Sequence, residues 1–261
     1  MHHVRSLLVA LTLAGQACAA HHVTATATTP TAPAPIDAAA IVAATDRTDA
    51  DRALDAGRHP AELLSFLGLR PGDHVADLMA GGGYTTELLA RAVGPTGVVY
   101  GQNNPWVLER FAAAPWADRL ARPVNANVAR LDLELKDPFG DVHDLDVVVM
   151  NLFYHDTVWL GVDRPAMNKA ILAALKPGGA YVIIDHAARL EAGVKDAQTL
   201  HRIEEVGVVL EVTAAGFKLD QTADFLRNPS DTRDWSASPS AAGEKRGTSD
   251  RFVLKFRKPL E

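Results

Sequence analysis

The residues with the clearest capacity for chemistry begin at Asp77. In Val75-Ala76-Asp77-Leu78-Met79-Ala80-Gly81-Gly82-Gly83-Tyr84 an apolar run carries an acid and then meets a cluster of glycines. That order ends a strand, turns the chain tightly and opens a helix. Glycine belongs at such a turn when a ligand packs on the backbone and leaves no room for a Cβ. The helix that follows offers unpaired N–H groups to an anionic or carboxylate-bearing ligand. A dinucleotide fingerprint needs GxGxxG. Gly81 and Gly83 fit its first two positions, but Thr86 stands at the third, and the GK[ST] of a P-loop is absent. An acid just ahead of the turn points to a third kind of ligand site.

A second group lies downstream. Asn151-Leu152-Phe153-Tyr154-His155-Asp156 follows one apolar run, Asp185-His186 ends another, and His201-Arg202 precedes a helical stretch. Histidine is the side chain that titrates near neutral pH. His155 with Asp156 therefore reads as a base or substrate-orienting pair, or alternatively as a hydrogen-bonded loop histidine. Tyr154 and Phe153 could stack on a planar substrate or simply pack. A metal set could be drawn from Asn151, Asp156, Asp185 and His186, since carboxylates and imidazoles ligate cations. No spacing among them specifies a metal, and none is expected. His201-Arg202 either caps a neighbouring helix or reaches the site. Trp106, Trp116 and Trp159 read as packing residues.

Alternating strands and helices must position these groups. Strands are expected at 74–79, 97–101, 128–133, 145–150 and 180–185. Helices are expected at 85–93, where Leu88, Leu89, Ala92 and Val93 share a face, at 104–114, from Pro165 to the Pro177-Gly178-Gly179 stop, and at 203–215. Gly216 is the expected C-terminal cap of the last one. Strands separated by helix-length segments pair in parallel through right-handed crossovers, and ligands then sit at the strands' carboxyl ends. The tail differs. Segments 217–226 and 251–257, with Phe252, Leu254 and Phe256 alternating, read as an antiparallel hairpin joined by a polar insert, 228–249, taken as a solvated loop or partial lid. The fold class is α/β: a Rossmann-like, seven-stranded, mostly parallel sheet with helices on both faces and a C-terminal antiparallel hairpin.

Asp77, Gly81 and Gly83 resemble the first motif of the class I S-adenosylmethionine-dependent methyltransferases, an acid followed by GxGxG, with Met79 in place of the first glycine. Residues 88–101 look like that family's first helix and second strand. Leu175-Lys176-Pro177-Gly178-Gly179 resembles its turn into strand five, so the likeness spans about residues 70–257. Asn151 to Asp156, His201-Arg202-Ile203 and Leu226-Arg227-Asn228-Pro229 are similar to a subgroup of predicted bacterial, exported methyltransferases without defined substrates. The resemblance implies S-adenosylmethionine as cofactor. By it, Asp77 supports the turn and the methionine moiety, while Ala80, Gly81 and Gly83 let the cofactor approach the backbone. Asn103 (or Gln102) replaces the family's ribose-binding acid, Asp132 lies on the adenine side, and Asn151 faces the reacting methyl group. It further implies methyl transfer to an unidentified small-molecule acceptor, with His155 and Tyr154 as catalytic candidates. Met79 and Asn103 motivate the alternative, a non-catalytic periplasmic binding or stress-response protein on the same scaffold.

Composition narrows the rest. The chain has 261 residues and a net charge of −6, from 32 acids against 26 Lys and Arg, which argues against a broad nucleic-acid surface. Asn151-Leu152-Phe153-Tyr154 is similar to the N/D-P-P-Y/F motif of amino-group methyltransferases, but both prolines are missing, and no nucleic-acid partner is expected. The single cysteine, Cys18, excludes an intrachain disulfide framework. A positive start, the apolar run LLVALTLA and Ala17-Cys18-Ala19 read as a secretory signal peptide over 1–19. An Ala/Thr/Pro-rich linker over 20–44 and the methyltransferase-like domain over 45–261 follow. The expected location is periplasmic or secreted. The alternatives are a lipoprotein anchored at Cys18, whose preceding residues loosely resemble a lipobox, and a cytoplasmic enzyme. No stretch is long enough for a transmembrane span.

Overall fold

Strand residues dictate two apolar layers by their period of two. The strands are His74–Leu78 (β1), Val98–Asn103 (β2), Val128–Asp132 (β3), Leu145–Asn151 (β4), Leu175–His186 (β5), Lys218–Ala223 (β6) and Arg251–Arg257 (β7). Val75, Val147, Val149, Val182, Ile184 and Val253 enter one layer. Ala76, Leu78, Val148, Met150, Tyr181, Ile183, Phe252, Leu254 and Phe256 enter the other. The computed structural model that shows this describes His2 and residues 35–261. The expected signal peptide and residues 20–34 of the expected linker lie outside the described residues, His2 apart.

The sheet runs β3-β2-β1-β4-β5-β7-β6. β1 to β5 are parallel, and β7 is antiparallel to both β5 and β6. The chain moves outward from β1 to β3, then restarts at β4 on β1's other side. The switch point between β1 and β4 is where open α/β sheets place ligands. The mostly parallel sheet and the closing antiparallel pair are both as expected, with Phe252, Leu254 and Phe256 on one face.

Helices cover both layers. Ala38–Val42 (α1), Asp49–Arg58 (α2), Pro60–Leu67 (α3) and Tyr84–Val93 (α4) precede β2, and Leu63, Leu64, Leu67, Leu88 and Leu89 of α3 and α4 bury against the first layer. Pro105–Val107 (α5), Ala113–Leu120 (α6) and Asp156–Trp159 (α7) come next, followed by Arg164–Ala174 (α8) and Glu205–Ala214 (α9). Met167, Ile171, Val208 and Val212 of α8 and α9 fill the second layer. The starts are capped as the sequence dictates. Thr48 Oγ1 accepts from Asp51 N at 3.1 Å, and Asp163 Oδ1 accepts from Ala166 N at 3.0 Å with Pro165 in the first turn. Among the described residues no helix is long and apolar enough to cross a membrane.

Three features depart from the sequence expectation. The folded part begins before residue 45, because Asp37 caps α1 and Ala38, Ile41 and Val42 pack with the α3 and α4 layer. Alanine-rich composition hid a short amphipathic face. The helix expected at 104–114 runs on to Leu120 through a π-helical turn, Leu108–Ala112. Finally, the 228–249 insert is strapped down. Asp231 pairs with Arg202, Ala237 N donates to Leu200 O at 2.9 Å, and Arg233 Nη1 donates to Ala188 O at 2.9 Å.

The π turn sets the phase of Trp116, which is fully buried. Its ring lies so close to β2 that a Cβ on Gly101 would come 2.4 Å from Cη2. Gly101→Ala should therefore destabilise the fold by about 1–3 kcal/mol, the usual range for overpacking. Urea unfolding measures this, and an unchanged midpoint would show that the indole yields freely.

Candidate functional site

The carboxyl ends of β1, β2, β4 and β5 line one edge of the sheet. At the end of β1 the chain reverses through left-handed residues, Met79 (φ 55°), Gly81 (φ 57°) and Gly83 (φ 80°). Met79 thus holds the backbone conformation that the family's first glycine would supply, at about 1–2 kcal/mol for an L-residue. Gly83 N donates to Ala80 O at 2.9 Å and closes the turn. α4 begins at Tyr84 with no side chain capping its first N–H groups.

The glycines have different reasons to be there. A Cβ at Gly81 would meet nothing within 4 Å, so the space above it is an open cradle. A Cβ at Gly83 would fall 2.6 Å from Trp116 Cζ3 and 2.8 Å from Arg119 Cγ. Glycine at 83 is thus required by α6 packing, a correction to the expectation that it makes room for a ligand. Ala80 is half-buried beside them.

Two amides from β2 brace the turn. Gln102 Oε1 accepts from Met79 N at 3.1 Å. Asn103 Oδ1 accepts from Gly81 N at 2.8 Å, and its Nδ2 donates to Gly81 O at 3.1 Å. Asn103 was expected at a ribose; both ends of its amide are committed to the loop instead. A carboxylate could not donate back to Gly81 O, which gives a physical reason for the amide. Asp132, expected on the adenine side, sits exposed at the end of β3 and is engaged by Arg130, with Nη2 to Oδ2 at 2.7 Å. Asn151 does reach the turn, its Nδ2 donating to Thr85 Oγ1 at 3.2 Å in the first turn of α4.

Asp77 lies beneath the turn, 2% exposed, and accepts from Thr86 Oγ1 at 2.6 Å. Burial raises its pKa to about 7, with the Thr86 bond and the nearby Arg58 charge opposing. Arg58, from the last turn of α2, was not foreseen. Its guanidinium lies 4.4 Å from the Tyr84 ring centroid, and among the described residues no carboxylate lies within 4.0 Å of it. Burial lowers its pKa despite the nearby Tyr84 and Asp77. Nothing local marks Arg58 in the sequence; only the fold brings α2 across the start of α4, where Tyr84 Oη donates to Asp55 Oδ1 at 2.6 Å.

The segment after β4 divides its residues between core and edge. Tyr154, expected to be catalytic, is fully buried. Its Oη donates to Glu211 Oε2 at 2.9 Å and accepts from Asn168 Nδ2 at 2.9 Å. Burial pushes its pKa well up. It ties β4 to α8 and α9 and stands away from the edge, because alternate residues of the turn after Leu152 (φ 59°) face inward.

His155 faces the other way. Its backbone N and ring Nδ1 both engage Asp185, at 2.7 Å each, and Asp185 Oδ1 also accepts from His186 N at 2.7 Å. His155 Nε2 points to Asp156 and His201. Burial alone would favour the neutral ring, but the Asp185 and Asp156 carboxylates outweigh it and raise His155 to about 10. The bonds from His155 and His201 overcome burial to hold Asp156 well below the usual carboxylate range. His186 is separate: its Nδ1 meets Ser249 Oγ at 2.7 Å, and burial lowers its pKa. Trp159 Nε1 donates to Asp156 Oδ1 at 2.9 Å, and the Trp159 ring meets Trp106 edge-on at 5.5 Å. The two indoles, expected only to pack, form a half-exposed aromatic wall beside this cluster.

A sheet of this order, with its one antiparallel strand next to the edge, is the class I methyltransferase fold. No protein-family model matches the sequence. Among solved structures, a SAM-dependent methyltransferase from Aquifex aeolicus is similar over 85% of this chain and 98% of its own, with TM-score 0.58 and 17% identity. A chain of the Haloferax volcanii complex formed with the Trm112 methyltransferase activator has TM-score 0.56 and 21% identity, over 81% of this chain and 94% of its own. The [4+2]-cyclase SpnF matches at TM-score 0.55 and 18% identity, over 78% and 82%. At such identities the likeness is one of fold, and SpnF is named for a different reaction.

Proposed function

We propose that this protein is an S-adenosylmethionine-dependent methyltransferase acting on a small-molecule acceptor. The observation that carries the reading is the open cradle over Gly81, set between buried Asp77, the uncapped start of α4 and the unpaired guanidinium of Arg58. These groups suit an amino acid-bearing cofactor. Helix N–H groups and Arg58 would hold its carboxylate, and Asp77 would face its cationic part. When bound, the cofactor supplies an electrophilic methyl on its sulfonium. The protein's own contribution is then chiefly positioning, which suffices for a pre-activated donor. Asn151 fixes the β4 side of the edge through Thr85. Trp106 and Trp159 offer a flat apolar wall to the acceptor, and His155 stands beside them with Asp156.

Gly81→Asn tests the cradle. Asparagine tolerates positive φ better than other side chains, so the fold should survive while the new group fills the open space. Titration calorimetry should show S-adenosylmethionine and S-adenosylhomocysteine binding the wild type, with affinity reduced more than about 100-fold in the variant, about 3 kcal/mol. Absence of binding by the wild type at millimolar ligand would defeat the proposal. Equal affinity in both proteins would move the pocket elsewhere.

The proposed export is tested independently. N-terminal sequencing of protein from its native host should begin at Ala20, and an intact Met1 would refute a cleaved leader.

A further inference from the structure

We propose that His155, Asp156 and His201 form a binding site for one divalent transition-metal ion of the zinc class. His155 Nε2 lies 3.1 Å from His201 Nδ1 and 3.2 Å from Asp156 Oδ1, and His201 Nδ1 lies 3.3 Å from the same Asp156 oxygen. Three potential donor atoms therefore occupy the corners of a nearly equilateral triangle. Metal–ligand bonds of about 2.0–2.2 Å, meeting at octahedral or tetrahedral angles, set their donors about 3.0–3.4 Å apart. The triangle has the dimensions of one face of such a coordination shell.

The surroundings prepare each ligand. His155 Nδ1 is bound by Asp185 Oδ1 at 2.7 Å, which selects the tautomer that leaves the Nε2 lone pair for a metal. A carboxylate behind a ligating histidine is the usual support for such a ligand. Asp185 is itself fixed by the backbone N–H groups of His155 and His186. Trp159 Nε1 steadies the Asp156 oxygen. His201, left-handed at φ 52°, is delivered by the buried neighbour Arg202. Charges also balance, since the carboxylates of Asp156 and Asp185 neutralise one dication with both imidazoles neutral. Without an ion, only a proton on His155 can offset those carboxylates within the cluster.

Side-chain exposures of 3% for His155, 14% for Asp156 and 25% for His201 leave a solvent-facing path for the ion and a free coordination position. Two imidazoles and one carboxylate suit zinc, cobalt, nickel or iron(II) better than the oxygen-seeking calcium or magnesium. That the free position receives an acceptor oxygen or nitrogen rests on the methyl-transfer reading; ion binding does not.

The test uses the full chain, stripped of metal and titrated with Co2+. One equivalent should bind with the visible absorption of four- or five-coordinate cobalt, and Zn2+ should displace it. His201→Ala and Asp156→Asn should each weaken binding by more than about 100-fold, and Asp185→Asn by about 10–100-fold. Histidines at positions 2, 3, 21 and 22 are untouched by these changes. Cobalt held by them would survive in His201→Ala, and an identical titration of that variant would overturn the site. So would the absence of a Zn2+-displaceable absorption in the wild type. Either result beside intact S-adenosylmethionine binding would remove the metal and leave the methyltransferase reading standing.

Discussion

Asp77→Asn should make the protein more stable at pH 8 and at the same time remove its affinity for S-adenosylmethionine. The two effects share one cause. Asp77 is 2% exposed with a pKa raised from 3.8 to about 7. Between those values the folded state holds a proton that the unfolded chain has released. The stabilisation this gives is complete below pH 4 and is lost as pH rises through 7. At pH 8 the fold carries a buried carboxylate, a burden of up to about 4 kcal/mol by the pKa difference. The amide removes that burden, and a gain of about 1–3 kcal/mol at pH 8 is expected, vanishing near pH 4. It also removes the negative charge proposed to face the cofactor's cationic part, so affinity should fall more than about 100-fold. Denaturant titrations at pH 4 and 8, with calorimetry at pH 8, read both. A variant that is less stable at pH 8, or that binds normally, contradicts the assignment. In the wild type, affinity should rise from pH 6 to 8 as Asp77 ionises.

Asp231→Ala should cost about 3–5 kcal/mol, the penalty for leaving one partner of a buried ion pair alone. The side chains of Arg202 and Asp231 are both 0% exposed and meet at 2.8 Å. Trp235 Nε1 and Asp250 N also donate to this carboxylate, at 2.7 and 2.6 Å. Bonds from the Asp250 and Arg233 backbone and from Arg202 outweigh burial and lower its pKa. Its stabilising contribution is therefore present above the ordinary carboxylate range and is lost as pH falls through the folded value. Removing the carboxylate frees the insert and, through Arg202, His201, so cobalt binding should fall along with stability. Arg202→Met combined with Asp231→Leu should recover stability but not cobalt binding, which separates packing from positioning. Urea unfolding and the cobalt titration check both, and a single variant with unchanged stability would show that the strap is not structural.

Much of the fold was legible because parallel strands buried on both faces are written as apolar runs. Leu145 to Met150 and Ala180 to Ile184 have that character, and Pro177-Gly178-Gly179 punctuates them. The glycine turn was legible because positive φ and close approach leave few alternatives to glycine. The site was less so. Asp77, Gly81 and Asn151 do converge, while Tyr154 turns inward and Asn103 spends its amide on Gly81. Side-chain direction after a strand end depends on a left-handed residue such as Leu152, which has no sequence signature. The His155–His201 meeting spans 46 positions and is made by an insert whose polar composition looked like solvent-facing loop. Arg58 was invisible for a similar reason, since its significance lies in lacking a partner that only the tertiary structure could have supplied.

The π turn has a consequence for sequence length. Ala113 N bonds to Leu108 O, five residues back, so this turn carries one residue more than an α-helix of the same span. Each residue advances a helix by about 100°. Deleting any single residue between 108 and 112 would relax the turn to an α-helix and swing everything beyond it by about that angle. Trp116 would leave Gly83 and Gly101, and Arg119 would lose Asp51 and Glu87. A one-codon deletion there should be more damaging than most substitutions at the same positions, because the helix stores its phase as a count of residues rather than as their identity.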